Sequence, residues 1–166
     1  TEVARRASAM GMRVIGTRNS SRQGPDFVDY VGLSDEMTTL AGEADVIVNA
    51  LPLTDQTRGL IDERLFASAR RGSYFINIGR GATVDTDDLL TSLQSGQLGG
   101  AGLDVTDPEP LPPDHPLWKA DNVIITPHVS SWGSDTRRHE LLLIENLARY
   151  ATGDPLYNVV DPTKGY

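Results

Sequence analysis

The chain reads as an α/β domain: a doubly wound parallel sheet with helices on both faces, in three αβα layers. Strand-like apolar runs alternate with helix-like segments along its length. The runs are almost continuously apolar, as strands buried on two faces are. Three of them lead into short segments that each carry one residue with useful chemistry. These are Asn77-Ile78-Gly79-Arg80-Gly81, Asp104-Val105-Thr106-Asp107-Pro108-Glu109-Pro110 and Thr126-Pro127-His128-Val129-Ser130-Ser131.

The elements follow in order. Thr1 to Met10 predicts a helix, with Glu2 in its first turn, Val3, Ala7 and Met10 at helical spacing, and Gly11 as its stop. Met12 to Thr17 is a buried strand and Arg18 to Pro25 a polar loop. Leu33 to Gly42 predicts a short helix with Ser34 as N-cap. Asp45 to Leu51 is a strand closed by Pro52, Asp62 to Ala69 a helix, and Ser73 to Ile78 the next strand. Thr86 caps a helix that runs to Ser95, with Asp87 and Asp88 at its positive end and Gly96 as its stop. Gly102 to Val105 and Asn122 to Thr126 are two further strands, with a proline-fixed loop from Asp107 to Pro116 between them. The last helix starts near Ser134 and runs to Tyr150; the tail from Gly153 to Tyr166 has no strong pattern. A helix that opens at residue 1 has no strand before it. The expectation is a sheet lacking its first strand and the glycine-rich turn that follows it.

Composition narrows the function. The 166 residues carry 15 Lys and Arg against 23 Asp and Glu, a net charge of −8, which argues against a nucleic-acid surface. No apolar stretch approaches the roughly 18 residues of a membrane span, and the N-terminus has no signal-peptide pattern. The absence of cysteine excludes disulfides and thiolate chemistry. No metal site is expected.

In open α/β sheets, ligands bind outside the carboxyl ends of the strands. Arg80, Glu109 and His128 there make an anion clamp beside a proton-transfer pair. Arg offers a planar fork that grips a carboxylate bidentately. Imidazole titrates near working pH and suits a general acid. His115, in the proline-rich loop, and His139, inside the last helix, fall outside this set.

The N-I-G-R-G, L-D-V-x-x-x-E-P and P-H segments, with V-N-A-L-P-L-T-D-Q-T-R-G-L-I from Val48 to Ile61, resemble the D-2-hydroxyacid dehydrogenases, specifically their nucleotide-binding half. The likeness runs over essentially all of the chain. Gly165-Tyr166 resembles the C-terminus of the glyoxylate/hydroxypyruvate reductases in that family. The resemblance implies a Rossmann-like dinucleotide-binding domain over residues 1–131, truncated at its N-terminus, and an interdomain helix and tail over 132–166. It implies a separate substrate domain that this chain lacks. It further implies hydride transfer between NAD or NADP and a small 2-oxo or 2-hydroxy acid, in a cytoplasmic protein that is a homodimer when full length. A dinucleotide-sensing corepressor of the same fold, or an inactive fragment, is the alternative.

The resemblance also implies residue roles. Arg80 binds the substrate carboxylate, His128 protonates the carbonyl oxygen, and Glu109 holds the imidazole in its acid-loaded form. Gly79 and Gly81 let the backbone approach cofactor and substrate. Asp104 faces the nicotinamide carboxamide. Leu51, Pro52, Thr57, Ile78 and Gly79 line the cofactor crevice, with Arg80 and His128 beside them. Ser130 and Ser131 contact the nicotinamide side, although the family commonly has Gly at the second position. Arg18, with Asn19 and Ser20, stands where NAD-preferring members carry an acid. Together with Ser21 and Arg22 it suits a 2′-phosphate, so NADP(H) is the expected preference. Trp132 and the stripe Leu141, Leu142, Ile144 and Leu147 are expected to serve packing, the stripe against a missing domain or a second subunit.

Overall fold

The computed structural model describes residues 1–131 and 136–161. Its elements are α1 (Glu2–Ala9), β1 (Ile15–Arg18), β2 (Tyr30–Leu33), α2 (Met37–Ala41), β3 (Val46–Asn49), α3 (Glu63–Ser68), β4 (Ser73–Asn77), α4 (Thr86–Gln94), β5 (Leu98–Leu103), β6 (Val123–Ile125) and α5 (Arg137–Thr152). All strand pairs are parallel, as expected. They form two ladders, β1-β2 and β3-β4-β5-β6.

One face of the larger ladder carries the core. Ile47, Phe75, Ala101 and Val123 lie in register across β3 to β6 and meet Leu65 and Phe66 of α3 and Leu89 and Leu93 of α4. Phe66 and Phe75 pack edge to face with ring centroids 5.3 Å apart, and both are fully buried. Burying a side chain of this size contributes about 1.5–3 kcal/mol. Val46, Val48, Tyr74 and Ile124 point to the other face and remain exposed. On α5, Leu141, Ile144 and Leu147 are exposed and Leu142 is half-buried. Beyond α5 the chain reverses through Gly153 in the left-handed conformation (φ 77°). The Asn146 side chain then brackets the Tyr157 backbone, accepting from its N–H (2.9 Å) and donating to its carbonyl (3.0 Å). Among the described residues no helix is long and apolar enough to cross a membrane.

Several local expectations are corrected. Strand β2 has no counterpart in the sequence reading, because its four residues mix exposed Tyr30 with Gly32 and show no apolar run. Leu33 to Gly42 is not one helix: Ser34–Glu36 forms a tight 3₁₀ turn before α2. Glu36, not Ser34, closes that turn by accepting the Leu33 N–H at 2.9 Å. Helix α4 is capped by Asp85, which accepts from Asp87 N (3.1 Å) and Asp88 N (3.0 Å). Thr86 instead donates its hydroxyl to the Asp107 carbonyl at 2.8 Å. Strand β5 begins at Leu98, not Gly102, and ends at Leu103. Gly99 and Gly100 conceal its start, since glycine has weak strand preference. They are needed there: a Cβ on Gly99 would lie 2.5 Å from the Gly72 carbonyl oxygen, and one on Gly100 2.8 Å from that of Asn122. His139 sits in the first turn of α5 rather than mid-helix. Trp132, Ser134 and Gly165-Tyr166 lie outside the described residues.

Candidate active site

Register brings the site together. Asn49 pairs with Asn77, Asn77 with Leu103, and Leu103 with Ile125, so β3 to β6 end at one level. The segments carrying Leu51, Arg80, Asp104 and His128 therefore leave the sheet side by side.

Two glycines draw these segments close. A Cβ on Gly79 would lie 2.8 Å from the Leu51 carbonyl oxygen, and one on Gly81 only 1.8 Å from that of Thr106. Their small size serves contact between neighbouring loops. Arg80 lies between them, exposed, with Nη1 donating to the Gly79 carbonyl at 2.8 Å. Among the described residues it pairs with no carboxylate, so its fork is available to an anion.

Beneath Arg80 lies a polar group the sequence reading missed. Asn49, Asn77 and Thr83 are 3%, 2% and 0% exposed. Asn49 Nδ2 donates to Asn77 Oδ1 (3.0 Å) and Thr83 Oγ1 (2.7 Å). Asn49 Oδ1 accepts from Leu51 N (3.1 Å), and Asn77 Oδ1 from Gly79 N (3.1 Å). The Thr83 hydroxyl donates to the Arg80 carbonyl at 2.6 Å. The available signal was an asparagine closing each of two apolar strands, a polar group where burial demands partners.

His128 and Glu109 meet as expected, with His128 Nδ1 2.7 Å from Glu109 Oε1. Both side chains are more than two-fifths exposed, at 44% and 41%. An ion pair this open contributes little to stability; what it fixes is the ring. With Nδ1 engaged, Nε2 is the ring nitrogen left for a further partner. The His128 backbone is left-handed (φ 53°), which costs a non-glycine residue about 1–3 kcal/mol.

Asp104 holds that strained turn. Its carbonyl accepts from His128 N at 2.9 Å. Its Oδ1 accepts from the Thr126 hydroxyl (2.6 Å) and Val129 N (2.9 Å), and its Oδ2 from Ser130 N (2.9 Å). Burial alone would raise the Asp104 carboxyl, but hydrogen bonds from the Thr126 and Ser130 side chains and from the Ser130 and Val129 amides outweigh it. They hold the group well below the usual carboxylate range. Both oxygens are thus engaged by the loop after β6.

The remaining predicted residues occupy three places. Leu51, Pro52, Ile78 and Gly79 flank Arg80 on the β3–β4 side. Thr57 turns inward on its own loop, donating to the Pro52 carbonyl (2.7 Å) and accepting from Thr54 N (2.8 Å). Ser130 and Ser131 follow His128 and are exposed. Arg18, Asn19 and Ser20 lie apart, at the end of β1 on the smaller ladder, all exposed. Arg18 Nη1 donates to the Gln23 carbonyl at 2.6 Å. Arg22 is already committed: it meets Glu36 Oε2 at 2.6 Å and the Tyr30 hydroxyl at 2.8 Å. The Tyr30 hydroxyl, the Leu33 N–H and Arg22 hold the Glu36 carboxyl down at about 2.

A cavity of about 350 Å³, lined by Leu93, Gln94, Asp114, Lys119 and Asn122 among others, opens near the start of β6, at the opposite end of the strands from the proton-transfer pair.

Comparison with known proteins decides the family. The sequence pattern described as "D-isomer specific 2-hydroxyacid dehydrogenase, NAD binding domain" matches residues 1–130. The chain belongs to the D-isomer specific 2-hydroxyacid dehydrogenases. A glyoxylate reductase of Korarchaeum cryptofilum is 37% identical over 165 residues, covering 96% of this chain and 48% of that protein. A D-isomer specific 2-hydroxyacid dehydrogenase of Xanthobacter autotrophicus Py2, solved with NADPH and MES, superposes with a TM-score of 0.91 at 35% identity, covering 98% of this chain and 66% of the other. An NADPH-dependent glyoxylate/hydroxypyruvate reductase of Sinorhizobium meliloti, solved with NADP and sulfate, gives 0.90 at 39% identity, covering 99% and 53%. The chain spans about half the length of the curated dehydrogenase-family relatives it matches. The parallel sheet and its strand-end loops are thus the Rossmann-like nucleotide-binding fold of this family.

Proposed function

We propose that this chain is the cofactor-binding half of an NADP(H)-dependent reductase of small 2-oxo acids, of the glyoxylate and hydroxypyruvate class. It works against a second domain that completes the substrate cleft. The observation that carries the reading is the 2.7 Å His128–Glu109 pair on the strand ends that also present Arg80. The Leu51–Pro52 and Gly79 backbones form one wall at these ends. The end of β1 offers Arg18, Asn19 and Ser20 with no acidic residue among them, which fits a 2′-phosphate. The family of the chain and the NADPH and NADP complexes of its neighbours support that assignment.

When bound, a reduced nicotinamide supplies a hydride to the carbonyl carbon. Arg80 grips the oxo acid's carboxylate with its fork and so orients the carbonyl. His128 donates a proton from Nε2 to the carbonyl oxygen as negative charge develops there, giving the 2-hydroxy acid; in the reverse direction it accepts that proton. Glu109 fixes the ring by holding its Nδ1 at 2.7 Å. Asp104 sets the turn that aims it.

A spectrophotometric panel of glyoxylate, hydroxypyruvate, pyruvate and bulkier 2-oxo acids, each with NADPH and NADH, tests this on the intact protein. The expected result is turnover of the small acids with NADPH, at a kcat/KM at least about tenfold above that with NADH, as one charge-assisted contact predicts. Equal use of the two cofactors would contradict the role of Arg18. Failure to turn over any oxo acid would contradict the reductase reading.

A further inference from the structure

We infer that Asn49, Asn77 and Thr83 are positioning residues for Arg80: a buried relay that sets the guanidinium for the oxo acid's carboxylate. This rests on the reading of Arg80 as the carboxylate ligand.

The geometry has a direction. The Asn49 amide directs its N–H groups at Asn77 Oδ1 and Thr83 Oγ1, 3.0 and 2.7 Å away. That makes Thr83 Oγ1 an acceptor from Asn49, so its single proton goes to the Arg80 carbonyl, 2.6 Å away. Asn77 Oδ1 takes the Gly79 N–H at 3.1 Å, and Asn49 Oδ1 takes the Leu51 N–H at 3.1 Å. The relay therefore grips the peptide groups on both sides of the Gly79–Arg80 unit and ties them to the wall at Leu51.

Two observations argue that the relay serves the site rather than the fold alone. All three side chains are at most 3% exposed, and Asn49 and Asn77 lie on the sheet face that carries the hydrophobic core. Polar groups in such a place cost stability unless every one is satisfied, and apolar residues of the same shape avoid that cost. The bonds also end on backbone atoms of Leu51, Gly79 and Arg80, the segment that presents the anion ligand. Among the described residues the Arg80 side chain itself is tied only to the Gly79 carbonyl, 2.8 Å away. Its aim thus depends on where its backbone is held, and small misplacements of a reacting group cost large factors in rate.

Thr83→Val in the intact protein tests this, since valine keeps the shape and removes only the hydroxyl. The expected result is a KM for glyoxylate raised about tenfold, with the KM for NADPH changed by less than about twofold. Thr83→Ser, which keeps the hydroxyl, should restore the wild-type value. In an Arg80→Lys background, Thr83→Val should add no further rise, because the fork it positions is gone. Thr83→Cys, a weaker donor of similar size, should give a smaller rise of the same kind. An unchanged glyoxylate KM in a folded Thr83→Val variant would overturn the proposal, as would an equal rise in both KM values. Collapse of both the Val and Cys variants would show a structural hydroxyl and overturn it as well. Arg80→Lys alone separates the two readings: full activity there would remove the carboxylate role itself, whereas a loss there beside a neutral Thr83→Val would remove only the relay.

Discussion

His128 shows how one side chain is made useful by its surroundings. Its ring is open to solvent, and Glu109 at 2.7 Å and the left-handed turn set where it stands. Replacing it with alanine removes the proton donor and leaves the fold's buried core untouched. His128→Ala should lower kcat for oxo-acid reduction by roughly 10²–10⁴-fold, with NADPH binding measured by fluorescence titration unchanged. A rate near wild type would assign proton delivery to another group. The residue types of this site were legible in the sequence, because Arg80, Glu109 and His128 sit in short motifs at strand ends. The Asn49–Asn77–Thr83 relay was not: its members lie up to 34 residues apart, and the pairing of β3 with β4 and the turn after β4 bring them together.

At the scale of elements, the loop after β6 depends on one carboxylate. Asp104 accepts from Thr126, Val129 and Ser130, and these bonds favour its ionised form in the folded protein. A group whose folded pKa is depressed contributes stability that is full above its unfolded value, about 4 for Asp, and is lost as pH falls below it. The Asp104→Asn variant should thus be less stable than wild type in urea denaturation at neutral pH, and the gap should narrow as pH drops below about 4. A gap constant across that range would show that charge is not what holds the loop. Asp104 was readable as a strand-end residue; that its oxygens are spent on the turn beneath His128 was not, since this follows from a left-handed residue no local pattern announces. Strand β2 escaped notice for the opposite reason, being too short and too exposed to show a period. The Arg18 loop was legible as a basic segment. Arg22 was not legible as spoken for, because its partners Tyr30 and Glu36 come from β2 and the turn after it.

The whole molecule follows the parallel order of its strands. Because β3 to β6 run in the same direction and stop at one level, Arg80, Glu109 and His128 emerge on one rim. This much was visible in the alternation of strand and helix. The outward face bearing Val46, Val48, Tyr74 and Ile124 was not, whereas the exposed stripe of α5 was read as a packing face for a missing domain or a second subunit. Apolar runs announce burial on two faces, and nothing in them says which face the described helices cover. We propose that this rim directs a hydride to a carbonyl carbon. The direct test is to incubate the intact protein with glyoxylate or hydroxypyruvate and NADPH deuterated at its transferable position, and to locate the label by NMR. Deuterium is expected on the carbon that was the carbonyl carbon of the oxo acid, one per molecule of NADPH oxidised. Product without label there, or oxidation of NADPH without a labelled 2-hydroxy acid, would contradict it.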